Sequence, residues 1–244
     1  MKKIIFTLIV ILITLSCKND AQPIAQDIID DAIEVAGGNI IAKSIIDFDF
    51  RAIHYKAIRD NGEFQLEREF LDSINVVKDV YTNNSFTRFI NNNAVVLEDT
   101  MAVKYTNSVN SVHYFSVLPY GLNDPAVNKT YLEKVTINRT EYHKVKITFN
   151  KEGGGKDYED VFVYWINTGT NKTAFIAYSY ITDGGGMRFR EAYNERYVNG
   201  IRFVDYNNYK PIDKDVDLLD LASLFEKGEL KLLSKIEIKN IVVE

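Results

Sequence analysis

A chain of 244 residues with 29 basic and 34 acidic side chains has a net charge of −5 and is 46% hydrophobic. That is enough apolar sequence for a large core, and the acidic balance without a basic block argues against nucleic acid as a partner. One cysteine in the whole chain excludes an internal disulfide, and 15 Tyr and 14 Phe against 4 Pro favour strands.

The lone cysteine has an informative position. Lys2 and Lys3 precede an apolar run from Ile4 to Leu15, followed by Ser16-Cys17. A positive n-region, a short h-region and a small residue at the cut describe a secretory signal, and the run is shorter than the about 20 apolar residues of a membrane span. Cleavage before Cys17, with acylation of its thiol and of the new amine, would make a lipoprotein held by acyl chains. The expected organisation is a signal peptide over 1–16, lipidated Cys17 and a tether to residue 23, and one domain over 24–244. Loss of Lys2 and Lys3 with the signal leaves 27 basic residues against 34 acidic, a net −7. The expected location is the cell envelope, at the outer membrane, with the membrane itself as partner.

From Ile24 the spacing of Ile24, Ile28, Ile29, Ala32, Ile33 and Val35 predicts an amphipathic helix, stopped by Gly37-Gly38. A short second turn is expected over 39–44. Alternation from Asp47 to Ile58 reads as one strand, and Asp60-Asn61-Gly62 as a hairpin leading to a return strand with Phe64, Leu66, Arg68 and Phe70. Further strands are expected over 74–81, 86–90 and 94–97. Residues 100–127 lack alternation and are spaced as one or two helices, interrupted by Pro119 and Gly121. Strands resume over 131–138, 142–151, 158–166, 173–182, 187–198 and 201–210, the last two joined by Asn199-Gly200. An apolar helix is expected over 216–225 and one last strand over 230–243.

About a dozen strands in sequential hairpins form a sheet large enough to curl. The expected class is therefore α+β: a strongly curved, unclosed antiparallel half-barrel with an N-terminal helix and an inserted helical lid over its concave face.

That order of elements resembles the fold of the LolA/LolB lipoprotein carriers. Local sequence resembles a Bacteroidetes family of uncharacterised lipoproteins, DUF6503, in the segments 32–38 (AIEVAGG), 54–59 (HYKAIR), 114–119 (YFSVLP), 188–192 (RFREA) and 200–206 (GIRFVDY). Thr14, where the usual lipobox has Leu, also resembles the looser lipoboxes of that phylum, and Lys18-Asn19-Asp20 a surface-directing tether. The carrier resemblance implies a hydrophobic cavity for acyl chains under the lid, and so a lipid or acyl-chain ligand; fold alone does not fix function.

Phe48, Phe50, Phe64, Phe70, Tyr114, Phe115, Leu118, Trp165 and Tyr178 are the expected lining of that cavity, by size and strand position. In the charged strand 187–196, two readings stand side by side. Its arginines pair across strands on a solvated face, with Arg202 and Asp205 within reach, or Arg188 and Arg190 clamp an anionic head group. His54, His113 and His143 show no metal-ligand spacing, and no cofactor is expected. The triple glycines at 153–155 and 184–186 open no helix and read as turns. Without a nucleophile elbow or a β/α barrel pattern there is no catalytic motif. The expected function is non-enzymatic binding of an apolar or amphiphilic ligand in the envelope. The alternatives are a protein-interaction scaffold with a packed barrel and an envelope hydrolase that uses one of the three histidines.

Overall fold

The computed structural model describes residues 24–181 and 184–244; Cys17, the signal and the tether lie outside them. The chain runs α1 (Ala25–Val35), α2 (Gly38–Ile41), β1 (Lys43–Phe50), β2 (Ile53–Asp60), β3 (Glu63–Asp72), β4 (Asn75–Thr82), β5 (Phe86–Ile90), β6 (Asn93–Val95) and α3 (Asp99–Ser116). It continues with β7 (Val127–Ile137), β8 (Thr140–Phe149), β9 (Val161–Asn167), β10 (Thr173–Tyr180), β11 (Gly186–Val198), β12 (Ile201–Pro211), a 3-10 turn (Leu218–Asp220), α4 (Leu221–Glu226), β13 (Leu230–Ile236) and β14 (Ile238–Val243). The strands form two unclosed antiparallel sheets of seven. Sheet I has the order β14-β1-β2-β3-β4-β5-β6, and sheet II the order β13-β12-β11-β10-β9-β8-β7.

Two expected strands each divide. The alternation over 47–58 is broken by a two-residue turn at Arg51-Ala52, where Arg51 takes φ +57°, and β1 folds back on β2 with Phe48 opposite Tyr55 and Asp49 opposite His54. A two-residue turn reverses the parity of the faces. His54 therefore does not share a face with Phe48; it joins Asp47 and Asp49, 3.2 and 2.9 Å from their carboxylates. The expected strand over 230–243 likewise splits at Glu237: β13 pairs β12 in sheet II, and β14 pairs β1 in sheet I. Asp205 stitches this corner. Its carboxylate, 3% exposed, accepts from Asn194, from Arg196 and from the Ile238 backbone N–H.

Helix α1 lays Ala25, Ile28, Ile29 and Ala32 on sheet II, packed with Val145, Ile147, Tyr164 and Ile166. Ile24, expected on this face, is its exposed N-cap residue. The corner after α1 abuts the β11–β12 hairpin: Gly37 has φ +88°, and a Cβ there would lie 2.5 Å from the Gly200 carbonyl oxygen. The 3-10 turn and α4 cover the other face of sheet II, where Leu221 and Phe225 pack over Trp165, Phe175 and Phe189. Sheet II is thus covered on both sides, by α1 and α3 on the concave face and by α4 on the convex one.

Residues 100–116 form the single long helix α3. It is fastened to sheet I by polar contacts. Asp79, fully buried, accepts from Arg68 at 2.7 Å and from Arg88 at 2.6 and 2.8 Å. Arg68 also donates to Ser108 of the helix at 2.6 Å, and the Arg88 guanidinium lies 3.4 Å from the Tyr105 ring centroid. Farther along, His113 Nε2 donates to the Glu67 carbonyl at 2.9 Å, and Val109 packs into the sheet I core with Ile46, Phe48 and Tyr55.

Candidate functional site

Where α3 crosses sheet II it leaves space. Tyr114 and Phe115 project onto β9 and β10, and the Phe115 ring rests 5.4 Å from the Tyr178 ring. That contact divides the interface into two part-open clefts that share Ser111, Phe115 and Tyr178 as walls. One, about 370 Å³, is bounded by Phe50, Val112, Val204, Ile236 and Ile238, with Arg51, Ser111, Ser116, Arg190, Asn208 and Ser234 as its polar part. The other, about 300 Å³, runs past Phe149 and Phe162 to the 153–155 turn and Asp160. Both reach the size at which ligand sites begin, about 300 Å³.

Arg190 gives the larger cleft its character. The residue is 8% exposed. Its guanidinium carbon is 3.9 Å from the Phe115 ring centroid, 5.1 Å from Tyr178 and 5.9 Å from Tyr206. Nη2 donates to the Tyr178 hydroxyl at 2.9 Å, and Nε has no partner among the described residues. Arg68 and Arg88 are neutralised by Asp79, and Arg202 by Glu195 at 2.6 Å. Arg59, beside Tyr120 and away from this cleft, also has a buried Nη1 without a partner among the described residues, and burial lowers its pKa to about 10. Among the described residues Arg190 meets no carboxylate, only aromatic faces, and a buried cation without an anion is costly. Asn208 stands directly opposite it across β11 and β12. Nδ2 of Asn208 donates to Ser234 Oγ at 3.3 Å, and its Oδ1 is buried without a partner among the described residues.

The charges of strand 187–196 therefore divide between the two expected roles. Glu195 pairs with Arg202 and Lys172, and Arg196 with Asp205. Arg190 alone faces the cleft. Arg188 lies two residues beyond it, donating to the Met187 carbonyl with its guanidinium 5.1 Å from the Tyr180 ring, and does not line the cleft.

Of the expected lining, Phe50, Tyr114, Phe115 and Tyr178 bound the clefts. Phe48 is fully buried in the sheet I core, stacked on Tyr55 at 5.3 Å. Leu118 is buried against α1. Phe64 packs on Tyr81 beside a separate cavity of about 170 Å³, and Phe70 sits beside the Arg68 guanidinium. Trp165 is a correction. It follows Tyr164, and successive strand residues face opposite ways, so it lies on the convex face, 5.6 Å from Phe189 under α4. The sequence reading missed Val204, Tyr206 and Asn208 on β12, whose alternation was visible but whose face was not. It also missed Ile236 and Ile238, which reach the cleft because the chain changes sheets between them.

Burial sets the ionisation of the neighbouring groups. It pushes Tyr114 up to about 12 and Tyr164 well above the usual phenol range. Burial and the adjacent Asp157 carboxylate lift Asp160 to about 6. His113, fully buried, is driven down to about 3 and stays neutral. No group of His, Cys, Asp and Glu able to hold a metal occurs among the described residues.

No curated protein matches the chain. Among solved structures it is similar to a LolA superfamily protein from Nitrosomonas europaea, with 10% identity, a TM-score of 0.48, and coverage of 89% of this chain and 92% of that one. It is also similar to a DUF1329 family protein from Desulfovibrio piger, with 7% identity, a TM-score of 0.45 and the same coverage. The sequence profile of a family of unknown function, DUF6503, matches residues 2–238, and the chain belongs to that family.

Proposed function

We propose that this protein is a non-enzymatic envelope lipoprotein, anchored through acylated Cys17, that binds an apolar or amphiphilic, lipid-like ligand between α3 and sheet II. The observation that carries the reading is the larger cleft. Its walls are aromatic and aliphatic, about 370 Å³ lies between them, and one buried cation without a counter-charge sits inside. Apolar walls with a few fixed polar groups are the usual make-up of a small-molecule site, whereas a packed scaffold has no use for the space or for an unpaired arginine. The membrane supplies ligands of this kind to a protein tethered on it.

The test is native mass spectrometry of a form that begins after Cys17, with extraction of whatever co-purifies. A lipid-sized adduct, or uptake of added long-chain amphiphile, supports the reading. A bare mass with no uptake favours the interaction-scaffold alternative.

A further inference from the structure

We infer that the ligand of the larger cleft is a single-chain carboxylate of the fatty-acid type, bound head inward with its carboxylate on Arg190. This rests on the proposed amphiphile-binding role and specifies the ligand class and its direction.

The direction follows from where the polar groups sit. Ser111 and Arg51, both exposed, mark the outer end of the cleft. Arg190 is buried, beneath Phe115. An amphiphile that left its head in water would bring only its chain to a buried guanidinium, and the unpaired cation would stay unpaired. With the head inside, the anion meets the cation where water is excluded and the attraction is least screened.

The class follows from the donors. A guanidinium offers a planar fork that matches the two oxygens of a carboxylate, and Nε of Arg190 is free for one prong. Asn208, opposite in register, supplies a second donor. Half a turn of its amide hands the partnerless oxygen to the Ser234 hydroxyl and puts the NH2 where that oxygen was. The same turn satisfies a buried acceptor that has no partner as it stands. A small head suits the site, because Phe115, Tyr178 and Tyr206 crowd the guanidinium on its faces. The aliphatic walls from Val204, Ile236, Ile238 and Val112 then take the chain toward the opening.

The test compares hexadecanoate, hexadecanol and a hexadecanoyl lysophosphatidate by calorimetry on the form that begins after Cys17. Hexadecanoate is expected to bind at least about tenfold more tightly than the alcohol, which has the same chain without the charge. Arg190→Gln should erase that difference and leave the alcohol unchanged. Asn208→Leu should weaken hexadecanoate alone, and Arg139→Gln, exposed in the turn between β7 and β8 and outside both clefts, should change neither. If Arg190→Gln does not fold, carboxyl-13C hexadecanoate on the unaltered protein decides the point: the bound carboxyl should resist protonation through the ordinary carboxylate range. Equal affinity for acid and alcohol, or a bound carboxyl that titrates normally, overturns the head-inward assignment and leaves the cleft reading intact. Tighter binding of the lysophosphatidate overturns the carboxylate in favour of a phosphate. Binding of none of the three overturns both readings.

Discussion

The Arg190 guanidinium carbon lies 3.9 Å from the centroid of the Phe115 ring, so one side chain of α3 both covers the buried cation and walls one cleft from the other. Phe115→Ala should join the two clefts. Because the ring is only half-buried, the loss of stability should be about 2 kcal/mol, below the range for a fully buried Phe. Uptake of a polarity-sensitive dye should rise. Denaturant titration and dye binding check both, and unchanged dye uptake would show that Phe115 does not separate the spaces.

Asp79 is fully buried between two arginines that also touch α3. Asp79→Asn keeps the shape and removes the charge, leaving two guanidinium groups without an anion. The expected cost is about 3–5 kcal/mol, the range for breaking a buried pair by removing one partner. Since the same arginines hold Ser108 and Tyr105, limited proteolysis should cut first within α3. A loss below 1 kcal/mol would mean that solvent relieves the charges.

The three histidines should titrate apart. The His54 ring, hydrogen-bonded to Asp49 and Asp47, is raised above its usual value, while burial lowers His143 and takes His113 to about 3. The consequences for stability have opposite signs. His54 contributes stability that is present below the unfolded value near 6.5 and is lost as pH rises through its folded pKa; the ring is half exposed, so the effect is small. His113 stays neutral when folded but charges when unfolded. Stability is therefore lost as pH falls from about 6.5 toward 3, by up to about 1.4 kcal/mol per unit. Ring NMR resolves the order, and His113→Gln should flatten part of the acid limb of a denaturation curve. A normal titration for His113 would contradict its burial.

Trp165, the only tryptophan, is fully buried on the convex face of sheet II, away from both clefts. Its emission should be blue-shifted in the native protein and should not respond to a ligand in the cleft. Leu221→Ala, in the layer that covers it, should cost about 2–5 kcal/mol and shift the emission to the red. Strong quenching on addition of hexadecanoate would place the ligand elsewhere.

Much of this arrangement was legible in the sequence, for stateable reasons. The spacing of Ile28, Ile29 and Ala32 and the Asn199-Gly200 turn are local signals, and helix α1 and the β11–β12 hairpin follow them. The Arg51-Ala52 turn was hidden because neither residue announces a positive φ, and alternation continues across a two-residue turn while the faces exchange. The break at Glu237 was hidden because a strand that leaves one sheet for another keeps its apolar pattern. Arg190 stood out as one of several charges, but its isolation depends on which carboxylates are missing around it. That is a property of three strands and a helix together.

Strand β14 pairs with β1, nearly two hundred positions earlier in the chain, and its residues Ile238 and Val243 complete the core beneath Ile46 and Phe48. The hairpins of both sheets can zip from near neighbours, but this seam has to wait until β14, which follows the other described strands in chain order, has been synthesised. Closing so long a loop is slow relative to local pairing. Until it happens, the outer edge of β1 is an open template for a strand from another molecule. The pairing of β14 with β1 thus sets how long the nascent β1 edge stays vulnerable to aggregation.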